Sequence, residues 1–110
     1  MSVKKLIINA LEPIAPTEFH EYEGDATTYI TFFEYNQRAG TFADDEEKTT
    51  IYSYQIDVYS PNNIEDLAKQ VKDALKEVGF YRTSEMELYN KTTQLYRKVI
   101  SVQGSFRTEE

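Results

Sequence analysis

The single histidine of the sequence, His20, lies in the run E-F-H-E-Y-E beside Glu18, Glu21 and Glu23. Imidazole and carboxylate groups can together hold a metal ion, but one imidazole among solvated carboxylates is weak support for such a site. A lone histidine also argues against serine–histidine catalysis and paired-histidine metal hydrolysis, because each needs a base held by a further orienting group. We therefore interpret His20 as an ordinary exposed strand residue.

A second set of candidate catalytic groups is the E-x-K triplet formed by Glu46 and Lys48, with Asp25 available upstream as a further acid. Some metal-dependent nucleases use such a set to hold magnesium near the scissile phosphate. The triplet falls in a predicted loop without a rigid strand to position it, so a solvated loop is the favoured interpretation. The run of acids also lacks the alternating oxygen ligands and the mid-loop glycine of a calcium site.

Composition removes several other classes of function. Without cysteine the chain has no disulfide, thiolate nucleophile or thiolate metal site, and its four glycines are too far apart for a phosphate-binding loop. The net charge of −7 disfavours a general attraction to nucleic acid or to an anionic membrane, and no run of apolar residues is long enough to span a bilayer. We expect no enzyme, no catalytic residue, no cofactor, no metal, no sequence-specific nucleic acid and no membrane partner.

Two amphipathic helices are predicted from apolar residues at helical spacing. Ser2 is placed to cap the first, and Pro13 ends it. The second follows Ser60-Pro61-Asn62-Asn63 and ends at Gly79. Their apolar stripes are Val3, Leu6, Ile7, Ala10, Leu11 and Ile14 in the first, and Ile64, Leu67, Ala68, Val71, Leu75 and Val78 in the second.

Five strands are predicted from alternating, β-branched and aromatic segments at residues 17–22, 27–36, 49–59, 80–89 and 94–102. Residues 38–48 are interpreted as a mobile acidic loop and residues 103–110 as a frayed tail. The 110 residues fit one domain. The expected fold class is α+β, with two helices on one face of a mainly antiparallel sheet of about five strands, in the order α-β-β-β-α-β-β.

The nine tyrosines and six phenylalanines all fall outside the two helical stripes. Two aliphatic helices can shelter only part of so many rings, and tyrosine is enriched where protein surfaces meet. A purely structural role and a role in a subunit or partner interface stay open at this point. If an interface exists, we expect Tyr29, Phe33 and Tyr35 to contribute to it.

The pattern resembles the tail completion and tail terminator family of siphophages, the small proteins similar to the tail terminator of phage lambda. The resemblance covers nearly the whole chain. It rests on the opening helix, the aromatic strand YITFFEY at 29–35, the run QIDVYS at 55–60 with the helix NIEDLAKQVKDALKEVGF after it, and the late run TTQLYRKVISV at 92–102.

The resemblance implies a structural protein of a phage or prophage tail. Such a protein forms a homo-oligomeric ring of about six subunits that caps the tail-tube protein and meets the head–tail connector protein, in the virion and, during assembly, in the host bacterial cytoplasm. In that setting the acidic loop is the candidate interface or channel segment, through Arg38, Phe42, Asp44, Asp45, Glu46, Glu47 and Lys48. A phage head-completion or connector protein, a generic dimeric adaptor and, less favoured, a small metal-dependent nuclease are the alternatives.

Overall fold

The computed structural model describes residues 2–43, 46–62 and 64–108. Its elements are α1 (Val3–Leu11), β1 (Thr17–Phe19), β2 (Tyr29–Ala43), β3 (Glu46–Ser60), α2 (Ile64–Glu77), β4 (Phe80–Asn90) and β5 (Leu95–Arg107). The strands form one sheet in the order β1-β2-β3-β5-β4. Only the short pairing of β1 with β2 is parallel, so the predicted α+β class and element order are confirmed.

The helix ends follow from local chemistry. The backbone N–H of Lys5 donates to the Ser2 side-chain oxygen at 3.3 Å, which is the expected cap of α1. Helix α2 carries acids in its first turn and ends before Gly79, whose φ of 103° is costly for any residue with a side chain. Asn63, the last residue of the polar run that precedes α2, lies outside the described residues.

The core lies between the two helices and one face of the sheet. Ile7 and Leu11 of α1 and Val71 and Leu75 of α2 are fully or almost fully buried. They meet a layer of strand side chains that includes three rings, which are Phe32, Tyr54 and Phe80. Aliphatic helices therefore do pack against a sheet rich in rings, as the sequence predicts.

The predicted loop at residues 38–48 is wrong for the described part of that segment. Strand β2 runs to Ala43 and β3 starts at Glu46, and their pairing continues from Arg38 opposite Ile51 to Ala43 opposite Glu46. The threonine hydroxyls of Thr41 and Thr49 lie 3.0 Å apart across this ladder. Asp44 and Asp45, which the same prediction included, lie outside the described residues.

The frayed tail predicted for residues 103–110 is also wrong for the part that the structure describes. Strand β5 runs to Arg107 and pairs with β3 as far as Thr49. The Phe106 ring lies 5.2 Å from the Phe80 ring, and the Thr108 N–H donates to the Lys48 carbonyl at 3.0 Å. An aromatic anchor and a continuous ladder thus hold this segment on the sheet.

Candidate protein-interaction surface

Both helices lie on the same side of the sheet, and the other side carries no helix in the described part of the chain. Residues that alternate with the core positions point to that second side. We call it the open face. It consists of Tyr29, Thr31 and Phe33 of β2, Gln55, Asp57 and Tyr59 of β3, Arg97, Val99 and Ser101 of β5, and Met86 and Leu88 of β4.

One margin of the open face is touched by the link between β1 and β2. The His20 ring lies parallel to the Phe33 ring at 6.4 Å, and the Tyr22 ring stacks on Tyr29 at 4.4 Å. The opposite margin, on β4, stays bare, with Met86 58% exposed and Leu88 44% exposed. Apolar side chains displayed in a group on a small domain are typical of a contact surface.

Stacked rings cross the open face from strand to strand. Tyr29 stacks on Tyr59 at 4.5 Å with an angle of 20° between the rings, and the Arg97 guanidinium lies 5.6 Å from the Tyr59 ring centre. Burial raises the pKa of the Tyr59 hydroxyl above 10.0, and nearby Arg97 acts in the opposite direction. At neutral pH this row therefore presents neutral phenols beside one cation.

The cation of this row is held by a buried carboxylate. An Arg97 side-chain nitrogen donates to Asp57 Oδ2 at 3.1 Å, and the Gln55 amide donates to Asp57 Oδ1 at 3.0 Å. Asp57 is only 4% exposed, whereas the Arg97 side chain is 38% exposed. Among the described residues, the Arg97 Nε–H has no hydrogen-bond partner. Asp57 thus fixes the orientation of the guanidinium, and this contact does not use all five of its N–H groups.

A groove of about 610 Å³ opens beside Arg97, where the open face meets the turn between β4 and β5. Its walls combine tyrosine rings and leucine side chains with two cations. The lining residues are Tyr29, Tyr59, Leu88, Tyr89, Asn90, Lys91, Thr93, Leu95 and Arg97. Within the described part of the chain no carboxylate lines it, although the chain as a whole carries a net charge of −7. The groove suits an apolar group accompanied by negative charge.

The second candidate contact region is the protruding end of the β2–β3 hairpin. We call it the arm tip and define it as Thr41–Ala43 and Glu46–Lys48. Strand β5 ends opposite Thr49, so the arm tip extends beyond the body of the sheet as a ribbon of two strands. Phe42 is 65% exposed there. The longest dimension of the molecule is 54 Å, against 23 and 22 Å for the others.

The described residues of the predicted interface segment therefore form strand rather than loop, and most of them are at or near the arm tip. Arg38 lies further back on β2, opposite Ile51. Glu46 pairs with Lys48 at 3.1 Å, and a Glu47 carboxylate oxygen accepts hydrogen bonds from the hydroxyls of Thr50 and Thr108.

Of the three predicted contact aromatics, Tyr29 and Phe33 lie on the open face and are partly buried there by their neighbours. Tyr35 differs, because the pairing of β2 with β3 shifts by one residue between Glu34 and Asn36. Tyr35 is the extra residue of this bulge and is 49% exposed. Whether any of the three contacts another chain remains a prediction.

The structure does not bring the nuclease candidates together. Asp25 precedes the end of β2 that pairs with Tyr59, whereas Glu46 and Lys48 lie at the opposite end of β3. The 13 residue steps from Glu46 to Tyr59 along β3 span about 43 Å at about 3.3 Å per residue. His20 directly follows β1 with φ of 70°, exposed and donating its backbone N–H to the Phe32 carbonyl. Within residues 2–43, 46–62 and 64–108, no group of three acidic or histidine side chains is placed to hold a metal ion.

Sequence reasoning did not identify Arg97 or Lys98 as special positions. In the run LYRKVISV, Lys98 alternates with Ile100 and Val102 and so falls on the core side of the strand. A charged residue at a core position of the alternating pattern could have indicated a buried ion pair. Its side chain is 8% exposed, and its amine lies 2.6 Å from Glu65, 3.1 Å from Glu85 and 3.4 Å from Glu87. These contacts tie α2 to the outer strands on the side away from the open face.

No helix in the described ranges is long and apolar enough to cross a bilayer. No protein-family model and no curated protein sequence matches the chain. Its fold is similar to that of a chain in a solved structure, the virion of a native gene transfer agent particle. The TM-score is 0.55 at 9% sequence identity, and the match covers 93% of this chain and 84% of that one. At this identity the likeness establishes the fold, which extends over nearly the full length of both chains.

Proposed function

We propose that this chain is a structural assembly protein of a phage or prophage tail, which forms a ring on the end of the tail tube and joins the tube to the head connector. The observation that carries the proposal is the likeness of its fold, over 93% of the chain, to a component of a gene transfer agent virion. A fold hosts many functions, so the surfaces have to support the role independently.

The surfaces fit a protein that works by contact with other chains. The open face displays Met86 and Leu88 to solvent, and the arm tip displays Phe42. Exposed apolar groups of this kind are costly for a protein that remains alone, and closed rings are a common way to cover them. Two separate contact regions also suit a subunit that has neighbours on both sides.

The charge of the chain supports the same role. A net charge of −7 on 110 residues repels a phosphate backbone, and a ring around a channel benefits when DNA passes without binding to its wall. The proposed role is non-enzymatic, and the separation of Asp25 from Glu46 and Lys48 supports this part of it.

The test uses purified full-length chain and the tail-tube protein encoded in the same genome. Light scattering should show an assembly of about six subunits, alone or when tube protein is added. Tubes that polymerise in its presence should be shorter and capped at one end in electron micrographs. A chain that stays monomeric at 12.8 kDa and leaves tube growth unchanged would refute the proposal.

A head-completion or connector role shares the support from the virion fold. The two roles differ in the partner, because a tail terminator binds the tube end and a head-completion protein binds the portal side of the head. Sedimentation of the chain with polymerised tubes, compared with its sedimentation with DNA-filled heads, separates them. Binding to heads alone would favour the second role.

A further inference from the structure

We infer that the arm tip of one copy inserts into the Arg97 groove of a neighbouring copy, with Phe42 against the groove's tyrosine and leucine walls and Glu46 and Glu47 near Lys91 and Arg97. This inference rests on the proposed function, since it names the contact by which the ring closes.

The chemistry of the two surfaces is complementary. The groove offers Tyr59, Leu88 and Leu95 as apolar walls and Lys91 and Arg97 as its only charged lining residues in the described chain. The arm tip offers a phenylalanine ring that is 65% exposed, directly opposite Glu47 in the ladder. Glu46 and Glu47 give the described tip two carboxylates against one cation, Lys48, which pairs with Glu46 at 3.1 Å. An exposed ring with a net negative charge beside it is the kind of group that such a groove accepts.

Arg97 has donor capacity left for this contact. Asp57 accepts a hydrogen bond from one of its terminal nitrogens, and a guanidinium has five N–H groups in all. Because the Arg97 side chain is 38% exposed, a carboxylate from another chain can reach its solvent-facing N–H groups and form a charge-assisted hydrogen bond there. Lys91, in the turn between β4 and β5, adds a second positive charge at the rim.

The geometry requires a second copy. Glu46 and Tyr59 stand near opposite ends of β3, about 43 Å apart over 13 residue steps of extended strand, and the paired strands hold them apart. A tip cannot reach the groove of its own chain. Because tip and groove are different surfaces, their contact is heterologous, and repeated heterologous contacts close into a ring when the rotation between copies permits.

The experiment separates the two halves of the contact. A tip variant, Phe42→Ala, and a groove variant, Lys91→Glu, should each weaken self-association at least tenfold in sedimentation equilibrium. The first removes the central ring of the contact, and the second turns an attraction between opposite charges at the rim into a repulsion. The matched controls are Tyr81→Ala, which removes a ring that is 56% exposed on β4, and Lys76→Glu, which reverses an exposed charge on α2. Both controls should assemble like the wild type.

Mixing the variants gives the decisive result. The Lys91→Glu variant keeps an intact tip, and the Phe42→Ala variant keeps an intact groove. In an equimolar mixture, one copy of each should therefore bind through these intact surfaces. Such a pair has no further intact tip or groove and should grow no further. Combining Glu46→Lys with Lys91→Glu should restore assembly by exchanging the charges. If the mixture remains monomeric although wild type assembles, the inference is overturned.

Other outcomes distinguish this inference from the proposed function. If the wild type caps tubes while both variants assemble normally, the arm-to-groove contact is wrong and the proposed function stands. If Lys91→Glu loses tube binding but keeps its self-association, the groove belongs to the tube protein and the inference is wrong. A wild type that neither self-associates nor binds tubes overturns both.

Discussion

Lys98 and Glu85 face each other beneath helix α2, with the lysine amine 3.1 Å from a Glu85 carboxylate oxygen. Lys72 of α2 and Arg82 of β4 contact the other Glu85 oxygen at 2.9 and 3.0 Å. Three cations thus converge on one carboxylate whose side chain is only 13% exposed. This cluster joins the edge strand β4 to the helix.

Lowering the pH should reduce the free energy of unfolding by protonating Glu85. Burial by itself raises the pKa of this carboxyl, but the hydrogen bonds from Lys72, Arg82 and Lys98 outweigh it and lower the pKa from 4.5 to about 2. The unfolded chain therefore takes up this proton at a higher pH than the folded chain. The stabilisation is complete above pH 4.5 and is lost as the pH falls to about 2. Urea unfolding between these pH values should show a shallower loss of stability in Glu85→Gln, and an equal slope would contradict the assignment.

Removing the buried amine should cost more than removing an exposed one. Lys98→Met leaves Glu85 with two of its three cations, and we expect the free energy of unfolding to fall by about 1–3 kcal/mol, the range for hydrogen bonds to charged groups. Lys69→Met is the matched control, because Lys69 pairs with Asp73 at 2.8 Å with both side chains mostly in solvent. Chemical denaturation should show little change for the control, and equal losses would refute the structural role of Lys98.

Gly104 should not tolerate a side chain. A Cβ added there would lie 2.7 Å from the Phe106 ring, 2.8 Å from the Phe80 ring and 3.0 Å from the Gly79 carbonyl oxygen. Overpacking of this kind costs about 1–3 kcal/mol, so Gly104→Ala should lower the melting temperature measured by circular dichroism. Ser105→Ala, at an exposed neighbouring position, should leave it nearly unchanged. If both variants melt alike, the close packing of the last strand is not supported.

Alkaline pH should destabilise the fold through buried phenols. Burial is the leading cause that raises the pKa of Tyr29, Tyr54 and Tyr59 above 10.0. In the unfolded chain these hydroxyls lose their protons first, so the free energy of unfolding falls as the pH rises above about 10. Absorbance titration of the native protein should show a late phase that is smaller in Tyr54→Phe and absent in urea. A single phase in the native protein would contradict this expectation.

Sequence patterns predicted the helices and the identity of most strands because the core side chains recur at the periods of helix and strand. The stripe that begins at Ile64 and the alternation of Tyr54, Ile56 and Val58 are both read directly from the chain. The extension of β2 and β3 beyond residue 37 and before residue 49 was not predicted, for a physical reason. Residues 38–48 are poor in strand formers, and the strand conformation of residues 38–43 and 46–48 depends on their pairing with each other and on the support of β5 at Thr49.

The candidate site was only partly predictable for a similar reason. The composition predicts more aromatic rings than two helices can cover. The open face, which carries Tyr29, Phe33 and Tyr59, agrees with this prediction. The groove depends on β4 and β5 bringing Leu88 and Lys91 beside Arg97 and Tyr59. Such a meeting of distant segments is set by strand order and register, which no local pattern specifies.

The bulge at Tyr35 has a consequence for the size of the proposed ring. One extra residue in β2 bends the strand and increases its twist, while the pairing on either side, Glu34 with Tyr54 and Asn36 with Ser53, is kept. The bulge therefore contributes, with the two register shifts nearer the tip at residues 39–42, to the direction in which the hairpin leaves the body, without altering the chemistry of its end. In the proposed head-to-tail ring, that direction would affect the turn from each copy to the next, so inserting or deleting one residue at Tyr35 would change the number of copies that close the circle.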